Sequence, residues 1–200
     1  MFQKLKSILS KHNESDYLIA FNKAINTTKM NKLGSFHKLK VTDARLINNE
    51  TVEKFYQNPV VSQIDPRELF SMCFHTHIQL QGIVNKIFKT ESILTLGYVE
   101  FDNGKRFHYQ SLNDVLDRIN ERKVLKEVNM HCWLTLPTSE IIDLTLPTTQ
   151  AIIEGNNQKV GSIIMKYADE LKGMKYVPQI LGDKYLHLAG IYDKNIPRAM

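Results

Sequence analysis

The stretch 131–145, HCWLTLPTSEIIDLT, restricts what this chain can fold into more than any other segment. Apolar residues alternate on two arms, and Pro137, Thr138 and Ser139 supply turn chemistry between them, which predicts a β-hairpin. On the first arm Met130, Cys132, Leu134 and Leu136 share one face, while Asn129, His131, Trp133 and Thr135 share the other. On the second arm Ile142, Leu144 and Leu146 form the apolar face, with Ile141, Asp143 and Thr145 opposite. Directly opposed residues share a face, so one core can receive both apolar sets only if the loop is odd. A loop of Pro137, Thr138 and Ser139 meets that condition; a two-residue loop at Thr138 and Ser139 does not. The same register brings His131 and Asp143 onto one more polar face. An imidazole beside a carboxylate is two thirds of a catalytic triad.

A thiol nucleophile is available in Cys73, within the pattern LFSMCFHTHIQL at 69–80. The order is a Cys in a helical pattern, a strand ending near Gly97, Tyr98, Val99 and Glu100, a His-x-Trp strand, a turn, and an Ile-Ile-Asp-x-Thr strand. This order resembles papain-like and transglutaminase-like cysteine enzymes, and is most similar to small bacterial and phage-type proteins of that superfamily. The resemblance covers residues 70–147. It implies an α+β fold in which an antiparallel sheet packs on the helix carrying the cysteine. It implies a nucleophile at Cys73, a general base and acid at His131 and an orienting group at Asp143. It also implies an upstream Gln side chain in the oxyanion hole, for which Gln63 is the nearest candidate. The reaction would be acyl transfer through a thioester, as hydrolysis of an amide or isopeptide or transfer to an amine. The substrate would be a peptide, a protein or another amide, with no cofactor or metal.

Each residue also has a plainer role. His131 fits a half-buried strand histidine, Asp143 a carboxylate near a turn, Trp133 packing at a sheet edge, and Cys73 a small core hydrophobe. Cys132 lies on the apolar face and reads as core. The neighbourhood of Cys73 adds a constraint. Asp65, Pro66 and Glu68 form a strong helix start with a capping box, and apolar residues continue at helical spacing to Phe88. If that helix ran unbroken, Cys73 would sit two turns in, beyond the reach of the helix terminus. A thiolate nucleophile calls for a break before Cys73, with Ser71 as a second cap. A metal site built from Cys73, His75, His77, His108 and His131 is disfavoured, because only Cys73 and His77 share a helix face.

Two hundred residues with 42% hydrophobic and 24% charged content suit one domain, or a domain with an added arm. The net charge of +5 is uneven: residues 1–40 hold eight lysines against Glu14 and Asp16, and the remainder is close to neutral. This divides the chain into a basic helical arm at 1–40 and a cysteine-enzyme domain at 41–200. A solvated helix face explains the lysines better than nucleic-acid binding, because no Arg cluster or aromatic stacking pattern accompanies them. An interaction module whose arm binds an anionic partner is the alternative to an enzyme. No run approaches the ~18 apolar residues of a membrane span, and the N-terminus lacks the pattern of a signal peptide, so a cytoplasmic protein is expected. Two cysteines without Cys-x-x-Cys spacing make no disulfide framework.

The remaining pattern predicts helices near 2–9, 17–28 and 50–57, a strand at 92–101, a turn at 102–104 and a returning strand at 106–111. Helices follow at 113–123, 147–153 and 162–171, and a strand or lid at 176–190.

Overall fold

A computed structural model describes residues 15–121 and 128–191. The first expected helix, near 2–9, lies outside those residues. Helix α1 (Asp16–Met30) begins at Ser15, whose hydroxyl accepts the Leu18 N–H. Its apolar side is part of the core: Tyr17, Leu18, Phe21 and Ala24 pack with Trp133 and Ile141. Burying a side chain such as Phe21 is worth about 1.5–3 kcal/mol. After a loop come α2 (Asn49–Tyr56), closed by a capping box at Asn48, and the short α3 (Pro59–Ser62).

The helix expected from Asp65 onward is broken. A 3₁₀ turn covers Pro66–Leu69, and α4 (Cys73–Phe88) begins afresh. Strand β1 (Ile93–Phe101) and the two-residue β2 (Arg106–Phe107) follow. The return strand stops early because His108 has a φ of +54°, which turns the chain out of the ladder. Helix α5 (Leu112–Glu121) leads to the hairpin of β3 (His131–Thr135) and β4 (Glu140–Asp143). Next are α6 (Leu146–Ile153), β5 (Ile164–Tyr167), β6 (Met174–Leu181) and α7 (Lys184–Leu188). The helix expected over 162–171 is instead β5 and a 3₁₀ turn at Ala168–Glu170. Pairing of Ile164 with Asp143 and of Tyr167 with Glu140 extends the sheet and overrides the local pattern.

The fold is α+β. Its antiparallel sheet runs β6-β1-β3-β4-β5, with β2 on the same edge of β1 as β3 but further along. The hairpin has the odd loop its pattern demands. Leu134 faces Ile142, Thr135 faces Ile141, and the Leu136 N–H donates to the Glu140 carbonyl. Ser139 takes the left-handed position with a φ of +65°. Both faces of the sheet are covered. Cys132, Leu134, Ile142 and Leu144 pack against α4 residues such as Ile78 and Val84, and α1 seals the other side. Among the described residues no helix is long and apolar enough to cross a membrane.

Candidate active site

The chain reaches Cys73 through a forced bend. Asp65 accepts the Arg67 N–H and opens the 3₁₀ turn, Phe70 ends it, and Ser71 turns with a φ of +56°. The Ser71 N–H donates to Thr149 Oγ1 at 3.2 Å, so α6 holds the bend. Met72, rather than Ser71, occupies the cap position, with no side-chain hydrogen bond. Cys73 is thereby the first residue of a 16-residue helix, among backbone N–H groups that have no intrahelical acceptor. Negative charge is favoured there. The residue is 7% exposed.

His131 opens β3 opposite Gly97, and Asp143 ends β4. The His131 Nε2–H donates to Asp143 Oδ2 at 2.6 Å, with both side chains buried. Asp143 is heavily solvated by protein. Its Oδ1 accepts the Thr145 N–H at 2.9 Å, the Leu146 N–H at 3.1 Å and the Thr145 hydroxyl at 3.2 Å. The Tyr176 hydroxyl donates to Oδ2 at 2.7 Å. The amides belong to the start of α6, so a helix terminus adds to the anion site. Burial alone would raise the carboxyl, but the charge and hydrogen bond of His131, with His77 and Tyr176, hold it below the usual carboxylate range. Burial likewise opposes the imidazolium. The Asp143 charge and hydrogen bond outweigh it, the Cys73 thiol adds to them, and His131 is raised. The pair is an ion pair in a dry setting.

After burial and Asp143, the Cys73 thiol is the next influence on His131, and it acts in the raising direction. Nε2 is committed to Asp143, which leaves Nδ1 as the nitrogen free to serve a nucleophile. The structure joins His131 to Asp143 directly and sets Cys73 at the start of the helix whose His77 lies 3.6 Å from the same carboxylate. Gln63 is exposed at the C-cap of α3. Cys132 is fully buried in the α4-side core, as its face of the hairpin predicted.

Four further side chains shape the site. The Trp133 ring stacks beside His131 at 5.9 Å between centroids and lies edge-on to Tyr176 at 4.9 Å, walling the ion pair from water. The His108 ring lies nearly parallel to His131, at 6.0 Å and 13°. Burial and the His131 charge push His108 down to about 4. His77 is fully buried, its Nε2 3.6 Å from Asp143 Oδ1, and burial takes it down to about 4. Its Nδ1 bonds the Cys73 carbonyl and its Nε2 the Leu144 N–H, so neither nitrogen has a lone pair left for a metal. The helical spacing of Cys73 and His77 was a signal for a shared role. Nothing local in the sequence pointed to Tyr176, which arrives from the last strand.

An open groove lies beside this cluster, between the β1–β2 turn and α6, with Phe101, Phe107 and Ile153 among its walls. Phe107 touches the His108 ring edge-on, at 4.1 Å between centroids.

No protein family, curated protein or solved structure matches this chain.

Proposed function

We propose that the chain is a cysteine-dependent acyl-transfer enzyme of papain-like or transglutaminase-like type, with Cys73 as nucleophile, His131 as base and acid, and Asp143 as orienter. The observation that carries this reading is the placement of Cys73. It is the first residue of α4, and its thiol adds to the raising of a histidine whose Nε2 is fixed by a buried carboxylate.

The chemistry follows from the donors and acceptors present. The Cys73 sulfur attacks an amide carbonyl, and the oxyanion is met by first-turn N–H groups of α4, that of Cys73 foremost. His131 delivers its proton to the leaving amine, giving a thioester on Cys73. His131 then takes a proton from the incoming water or amine, and Cys73 is released. Asp143 stays ionised throughout and keeps the imidazole in one orientation.

The burial of Cys73 and His131 favours a second reading, in which the three residues only stabilise the core and the chain is an interaction module. Iodoacetamide at about pH 6 separates the two. An active Cys73 alkylates in the folded protein, well ahead of Cys132, and loses that advantage in His131→Asn. If both cysteines react only on unfolding, the enzyme reading is wrong.

A further inference from the structure

We infer that His77 is a positioning residue, a backbone-to-backbone strut that fixes the start of α4, and with it Cys73, against the end of β4 that carries Asp143. The inference rests on Cys73 being the nucleophile. The strut is defined at both ends. His77 Nδ1 lies 2.8 Å from the Cys73 carbonyl oxygen, which can only accept. The Leu144 N–H, which can only donate, lies 3.1 Å from Nε2. The proton is therefore on Nδ1, and the ring is neutral. Leu144 is the residue after Asp143, so one imidazole spans from the nucleophile's own peptide unit to the peptide unit beside the carboxylate.

Such a link does what the surrounding packing does not. The contacts of Cys132, Leu134 and Leu144 with α4 are apolar and non-directional, and would tolerate a small slide of the helix along the sheet. Two hydrogen bonds to main-chain atoms would not. Full burial keeps the ring uncharged even at 3.6 Å from Asp143 Oδ1, so His77 does not compete with His131 for the carboxylate. Two histidines thus flank one aspartate, and only His131 carries charge.

The test reads Cys73 alkylation by iodoacetamide against pH in the full chain, with each thiol quantified by peptide mass spectrometry and thermal unfolding followed in parallel. In His77→Leu the Leu144 N–H has no acceptor. Cys73 labelling should slow by tenfold or more at pH 6 and its pH midpoint should move. His77→Gln restores an acceptor near Nε2 and should recover most of the rate. If His77→Leu does not fold, His77→Asn keeps a donor near Nδ1, drops the acceptor and should show the same loss. A lower melting temperature with an unchanged labelling profile would overturn the strut. An unreactive Cys73 in the folded wild-type chain would instead overturn the nucleophile reading on which it rests.

Discussion

Tyr176 and His131 donate to the same oxygen, Asp143 Oδ2, at 2.7 and 2.6 Å. One donor comes from the last strand and the other from the central hairpin. The phenol has no other described partner, and burial together with the Asp143 charge keeps it protonated far above the ordinary tyrosine range. Tyr176→Phe removes one charge-assisted bond without opening a cavity. The expected loss is about 1–3 kcal/mol of stability, measured by urea denaturation. Cys73 labelling should fall by less than tenfold, because the His131 contact remains.

Stability should be greatest near neutral to slightly acidic pH and fall on both sides. His77 has a folded value of about 4 against 6.5 in the unfolded chain. The unfolded chain therefore takes up the proton first, and the contribution of His77 is complete above 6.5 and is lost as pH falls toward 4. The loss is at most about 3 kcal/mol. His131 behaves in the opposite sense. Its folded value is raised, so its contribution is complete below 6.5 and declines as pH rises through the folded value. Urea midpoints across pH should show both slopes. His77→Gln should make the acid side shallower, with His108 and Asp143 keeping the rest of that slope, and His131→Asn should flatten the alkaline side.

Gly97 faces His131 across the β1–β3 ladder, at the point where the pairing of β1 with β6 shifts register. A Cβ there would lie 2.0 Å from the Val177 carbonyl oxygen and 3.0 Å from the Trp133 ring. The backbone neighbour cannot rotate away. Gly97→Ala should cost about 3 kcal/mol, read as a shift in urea midpoint. His131 chemical shifts should move with it, since Trp133 and His131 are stacked.

Glu140 is buried in the hairpin and accepts the Leu46 N–H at 2.9 Å and the Ile47 N–H at 2.8 Å, together with the Thr138 hydroxyl. It clips the loop before α2 onto the sheet. Glu140→Gln should cost about 2 kcal/mol through loss of charge-assisted acceptors. Amide exchange at Leu46 and Ile47 should accelerate while that of the β3 core stays slow.

The hairpin was legible because alternation on two arms leaves one register that serves a single apolar face. That register alone puts His131 and Asp143 on one face. The break ahead of Cys73 was legible only as a requirement. The residues that make it, Ser71 at positive φ and Thr149 receiving its N–H, are coupled across 78 positions, beyond any local pattern. Residues 162–171 have a helical local pattern, but sheet pairing with β4 decides their structure. The face of Trp133 and Asp143 looked half-polar in the sequence, yet it is dry. Its cover, α1, comes from the far N-terminal side, and its polar groups satisfy one another. The Tyr17 hydroxyl bonds Thr135 at 2.6 Å and receives the Trp133 N–H at 3.0 Å.

The seating of α1 against β6 has a consequence for biosynthesis. The Leu181 N–H bonds the Thr28 hydroxyl across 153 positions, and the apolar stripe of α1 is covered by strands from the later part of the chain. At translation rates of roughly 5–20 residues per second, α1 emerges on the order of ten seconds before β6 exists. Until the central hairpin and then β6 emerge, Leu18 and Phe21 lack most of their native cover. The nascent chain carries an exposed sticky helix through most of its synthesis, and the last strand to arrive is the one that retires it.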